Sequence, residues 1–175
     1  VHCGRRIELV QGELITYVDA LPNPLEQGDM SRKILFTITA ITTNILVKRD
    51  ALLEIGLFDE NLQFWQEYEL TIRLAQRKPF YFVNEPLSVY RIDRNDKQRL
   101  TNKYKKWKDA VQYIHIKHAN LYLQLNFFER CKVKLLVMKD AVRRCKSAGL
   151  MKEYYVLYVA WFLFSFPFRL INKIR

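Results

Sequence analysis

The sign of the charge changes once along the chain, and that break limits what the chain can fold into. Residues 1–96 carry 11 Lys and Arg against 14 Asp and Glu, whereas residues 97–175 carry 18 against 4. Parts with such different balances need different surroundings, so the chain is expected to divide near residue 96. The second part, at a net +14, calls for an anionic partner: lipid headgroups or nucleic acid. With 175 residues, 50% of them hydrophobic, there is enough material for one globular core and an appendage but not for two full domains. The three cysteines are an odd number and make no Cys-x-x-Cys pair, which favours a reducing compartment over a disulfide framework. No basic and apolar leader opens the sequence, which begins at Val1.

In the first part, alternation around Ile7, Leu9 and Leu14, interrupted at Gln11-Gly12, predicts two short strands and a turn. A turn-rich link over residues 19–29 leads into ILFTITAITTNILV, residues 34–47. Its β-branched composition predicts a buried strand or strand pair. KRDALLEIG reads as a short helix with Asp50 in its first turn and Gly56 as its left-handed cap. In FWQEYELTIRLAQ, residues 64–76, the apolar positions Trp65, Tyr68, Ile72 and Ala75 step by three and four and so share a helical face. Glu69 and Arg73, four apart in the favourable order, predict an ion pair on the exposed side with Glu69 as a solvating carboxylate. Glu67 falls in the first turn, where unpaired N–H groups and the helix dipole favour a negative charge. FYFVNEPLSVYRI then predicts two extended pieces bent at Glu85-Pro86.

The basic part is helical in pattern. One apolar stripe runs from Tyr104 through Trp107, Val111, Ile114, His118 and Leu121 to Leu125, and a second, out of phase, from Phe128 through Cys131, Leu135, Met138 and Val142 to Cys145. The change of phase near Asn126 predicts a helical hairpin, and Gly149 a helix end. Residues 154–168, YYVLYVAWFLFSFPF, are almost wholly apolar and flanked by Lys152, Arg169, Lys173 and Arg175. At about 1.5 Å per residue this run is too short for a bilayer core of about 30 Å, so it is expected to lie in a membrane interface. An ordinary packed helix or a homodimer contact is the alternative.

Little else in the chain suggests chemistry. His115 and His118 stand three apart but lack a third ligand nearby, and Cys131 and Cys145 sit on the apolar stripe as inert thiols, so no metal site is expected. The lysines and aromatics of KYKKWKD, residues 103–109, are one way to hold a single strand, but Tyr104 and Trp107 are more simply core, and no nucleic-acid partner is expected.

Residues 40–92 together resemble the acceptor-side half of the family 2 glycosyltransferases. The elements that carry the resemblance occur in order: Thr42 to Asn44, Lys48-Arg49, Gly56, Phe58-Asp59-Glu60, Gln66-Glu67, Arg73-Leu74-Ala75, Pro86-Leu87 and Tyr90-Arg91. Residues 5–16 resemble the hairpin upstream of them. The resemblance implies an α/β chain in which residues 1–96 form the C-terminal part of a GT-A domain and residues 97–175 an α-helical, basic, amphipathic tail. It also implies an inverting transfer of a sugar from a nucleotide-sugar donor to an acceptor hydroxyl in bacterial surface polysaccharide synthesis.

By the same resemblance Glu67 takes the general-base position, more often Asp in the family. Thr43, Asn44, Asp59, Trp65 and Gln66 take acceptor-side positions, and Arg91 one near the donor diphosphate. Phe64 and Trp65 offer a platform for sugar rings, although burial suits Trp65 better. Ile92, Asp93 and Arg94 stand where many relatives place a His, and the Gln-x-x-Arg-Trp motif of processive polymerases is absent, which favours single-sugar addition. The family's nucleotide-binding half, ending in Asp-x-Asp, is expected before Val1. Its carboxylates would hold Mg2+ or Mn2+ in the full-length enzyme, and this chain alone is expected not to transfer sugar. The tail places such an enzyme in the cytoplasm at the inner membrane face, near a saccharide or lipid-linked acceptor. The rival is a non-enzymatic basic module, binding membrane or nucleic acid, that retains a degenerate transferase half.

Overall fold

The computed structural model describes residues 1–93 and 103–173, with side chains as far as residue 168. Arg94, the expected boundary at residues 96 and 97, and the side chains of Arg169, Lys173 and Arg175 lie outside the described residues. The chain is mixed α/β and divides into two compact units, Val1–Lys97 and Gln98–Arg175.

The first unit is built on a three-stranded sheet. β1 (His2–Gln11) lies between β2 (Leu14–Ala20), antiparallel to it, and β3 (Phe82–Asp93), parallel to it. The two strands and turn that the sequence predicts are present, but Gln11 pairs with Leu14, so Gly12 and Glu13 make the turn, one residue later than expected. Arg6 and Asp19 face each other across β1 and β2 with two hydrogen bonds of 2.8 and 2.9 Å, and this pairing holds the Asp19 carboxyl below its usual range. β3 runs unbroken through Pro86, where the sequence suggested two pieces. The expected bend survives as a change of register: Cys3 pairs with Val83 but Gly4 with Pro86 and Arg5 with Ser88. At this irregularity a Cβ on residue 4 would stand 2.9 Å from the Glu85 carbonyl oxygen and 3.0 Å from that of Ala20, both backbone atoms, so only glycine fits.

Residues 34–47 are not the strand or strand pair that their β-branched composition suggested. They form two 3-10 turns, Lys33–Phe36 and Thr42–Asn44, and pair with the sheet through an isolated bridge between His2 and Ile45. Burial decides the matter. Ile34 and Leu35 turn into the core with Met30, Tyr68, Leu70 and Ile72, and the Tyr68 hydroxyl donates to the Leu35 carbonyl at 2.6 Å. Packing of this kind outweighs the intrinsic preference of β-branched residues. α1 (Arg49–Glu54) and α2 (Gln66–Ala75) follow.

The second unit is helical: α3 (Tyr104–Lys117), the short α4 (Ala119–Leu123), α5 (Phe127–Ser147) and α6 (Met151–Lys173). α5 packs against both α3 and α6. The predicted phase change coincides with the start of α5. There the Asn126 side chain accepts from the Glu129 N–H at 3.0 Å, and the Glu129 carboxylate accepts from the Asn126 N–H at 2.9 Å. Trp107, from α3, is buried, and the Arg144 guanidinium of α5 lies 5.2 Å from its ring centre while donating to Asp140 at 2.8 Å.

Two outcomes test this description. Replacing Gly4 by Ala drives a methyl group into two fixed carbonyls and should cost about 1–3 kcal/mol of stability, read from the urea midpoint. His2 is buried, and its Nε2 donates to the Glu26 carbonyl at 3.2 Å, so Nδ1 must be the unprotonated nitrogen; that atom is buried without a partner. Burial therefore lowers the His2 pKa. A depressed histidine pKa means that the unfolded chain binds more protons, so this contribution is present above about pH 6.5 and is lost as pH falls below it. His2→Gln should flatten the slope of stability between about pH 7 and pH 5 in a denaturant titration.

Candidate active site

The α1–α2 region is organised around an arginine. α1 ends at Gly56, whose φ of +83° is the left-handed cap the sequence predicts, and the Leu57 N–H returns to the Leu52 carbonyl at 2.9 Å. This reversal turns the carbonyls of Ile55 and Leu57 toward α2, where the Arg73 guanidinium donates to both, at 2.6 Å to Leu57. The same guanidinium grips the Glu69 carboxylate through Nε at 2.9 Å and a terminal nitrogen at 2.7 Å.

The expected ion pair is therefore present, but Glu69 is not the solvating group that its spacing suggested. Its side chain is 0% exposed. A carboxylate so placed is tolerated because Arg73 neutralises it and takes up its lone pairs. Helical spacing shows which residues are neighbours on one helix, but not which side a second segment will cover.

α2 begins unusually. Trp65, its N-terminal flanking residue, adopts the left-handed region with φ +56° and ψ 24°, and its own side chain makes no capping hydrogen bond. A left-handed conformation at a bulky residue costs about 1–3 kcal/mol and persists only where packing over-determines it. Here the indole is buried and meets the Tyr68 ring edge-on at 5.0 Å, while the Trp65 carbonyl accepts from the Glu69 N–H at 2.9 Å. The strained residue stands two positions before Glu67, which is half-buried in the first turn. There the helix dipole favours a negative charge.

The other predicted positions lie on several elements of the first unit. Gln66 shares the first turn of α2 and is half-buried. Asp59 lies in the loop leading to α2 and closes a side-chain turn by accepting from the Asn61 N–H at 3.0 Å. Thr43 is exposed on the second 3-10 turn. Asn44, beside it, is buried: its amide donates to the Cys3 carbonyl at 2.8 Å and accepts from the Ile41 N–H at 2.8 Å, so it stitches this turn to β1. Phe64 and Trp65 are both buried, so neither presents an open ring platform. Arg91, on β3, is 60% exposed and lies 3.5 Å from Glu8.

A cavity of about 840 Å³ in the first unit is lined by Thr39, Ile45, Lys48, Thr71, Lys78 and Phe80 among others, and Glu67 is not in its lining. No local pattern announces this cavity, because its walls come from segments far apart in the chain. In the second unit a cavity of about 410 Å³ is lined by His115, Tyr122 and Arg130. His115 stacks edge-on against Tyr122 at 4.6 Å, and burial lowers its pKa; His118 is buried. Among the described residues no three His, Cys, Asp or Glu side chains could hold a metal ion together, and the chain has no Asp-x-Asp. The divalent cation implied by the resemblance thus finds no ligand set here. No protein-family model, curated protein or solved structure matches the chain.

Loss of the arginine should strand the buried carboxylate. Arg73→Leu is expected to destabilise the first unit by about 3–5 kcal/mol, whereas Glu69→Gln with Arg73→Leu should recover part of that loss in a double-mutant cycle followed by chemical denaturation.

Proposed function

We propose that residues 1–96 are the acceptor side of an inverting glycosyltransferase of the GT-A kind, and that Glu67 is its general base. The observation that supports this reading is the placement of Glu67: a half-buried carboxylate in the first turn of a helix, directly behind a strained left-handed Trp65. Strain stored beside a titratable group is characteristic of functional sites. The ordered motifs between residues 40 and 92 add the family resemblance.

In the proposed reaction an acceptor hydroxyl attacks the anomeric carbon of a nucleotide-sugar. An alcohol is too weak an acid to ionise beforehand, so its proton passes to the Glu67 carboxylate as the new C–O bond forms. The bond from the anomeric carbon to the diphosphate breaks on the opposite face, which inverts the configuration. Arg91, largely exposed on β3, is suited to offset charge on the departing diphosphate. Asp59, Gln66 and Thr43 border the acceptor, and Asn44 acts indirectly by fixing the turn that carries Thr43. A nucleotide-binding half bearing Asp-x-Asp would supply the donor pocket and the divalent cation. Bacterial surface saccharides, free or lipid-linked, are the acceptor class this reading favours.

The test uses a full-length protein containing both halves. Glu67→Gln should lower kcat about 10²–10⁴-fold with donor binding unchanged. Turnover equal to the parent's would remove Glu67 from the mechanism and leave the non-enzymatic module as the better reading.

A further inference from the structure

The middle of α6 is apolar on all sides. No side chain between residues 154 and 168 is charged, and its one hydroxyl outside the tyrosines, Ser165, is buried and donates to the Phe162 carbonyl at 3.0 Å. One side, with Tyr154, Leu157, Trp161 and Phe164 half-buried around Ser165, belongs to a helix that packs on α5. The opposite side carries Tyr155, Val156, Val159, Phe162, Leu163 and Phe166, all exposed, with Val156 at 71% and Leu163 at 65%. These positions advance by one, three, three, one and three residues, so they form a single stripe about 16 Å long. A contiguous apolar surface of this kind marks a binding face.

Charge decides what covers it. Lys146, in the last turn of α5, and Lys152, in the first turn of α6, are exposed, and Arg169, Lys173 and Arg175 follow the stripe in sequence. A second copy would set these cations against their own equivalents across a two-fold axis, in a region already at net +14. Anionic headgroups satisfy both features, attracting the cations while the stripe enters the acyl boundary. Tyr155 and Tyr158, with apolar rings and polar tips, suit the headgroup level. Among the described residues no helix is long and apolar enough to cross a membrane, which favours a helix lying in the surface over one that spans.

We propose that α6 lies in the interface of an anionic phospholipid bilayer, with the stripe from Tyr155 to Phe166 turned toward the acyl chains. The proposal stands apart from the transferase reading, since lipid capture requires no sugar transfer. It is tested by co-sedimenting the 175-residue chain with phosphatidylcholine vesicles containing or lacking phosphatidylglycerol. Capture should occur with the anionic vesicles and weaken severalfold when salt rises from about 0.1 to about 1 M, as the screening length falls from about 10 to about 3 Å. Val159→Asp with Leu163→Asp should weaken capture at least about tenfold, with far-UV circular dichroism confirming that the helices persist.

Phe162→Trp preserves the apolar face and gives a second readout: brominated lipids should quench its added emission. Equal capture by both vesicle types, capture insensitive to the paired aspartates, or absence of quenching at position 162 would each overturn the proposal. So would a dimer, seen by light scattering, that the paired aspartates dissociate, because the stripe would then belong to a second copy.

Discussion

The contact between Arg73 and Glu69 holds together the segments around α1 and α2. A buried carboxylate is costly unless its charge is answered, and Arg73 answers it while donating to two carbonyls of the segment that follows α1. One guanidinium thus fixes α2 against the end of α1. The strained Trp65 conformation and the placement of Glu67 both depend on a rigid first turn of α2, so this arrangement supports the candidate site without belonging to it. Glu69 is thus spent on holding the helix in place.

A second dependence runs through the sheet. β1 is central, and its parallel pairing with β3 brings residues some eighty positions apart into register. The irregularity opposite Gly4 is where a long, Pro-containing strand adjusts to a shorter partner. Asn44 then ties the second 3-10 turn to the same strand. Thr43 and Arg91 are therefore positioned by the same central strand, although they come from distant parts of the sequence.

The helical unit follows a simpler logic. Its apolar stripes pack α3 and α6 on α5, and Trp107 with Arg144 closes one of those contacts through an aromatic face and a cation. What packing leaves over is the outward side of α6. The same helix therefore has two apolar faces, one packed within the protein and one exposed.

Features set by near neighbours were legible in the sequence. The turn at Gly12, the helix end at Gly56, the helical face from Trp65 to Ala75, the Glu69–Arg73 pairing and the change of phase before α5 all depend on residues within about one or two turns of one another. Glu67 could be assigned to a first helical turn for the same reason. The break in charge and the apolar run after Lys152 were likewise properties of composition. Only the tertiary structure decided that residues 34–47 form 3-10 turns, that Glu69 is buried, that Asn44 is spent on backbone carbonyl and amide groups, and that one side of α6 remains open. Each of these outcomes depends on which distant segment arrives to cover a given side chain. Local periodicity carries no record of that choice, because burial is a property of the assembled surface.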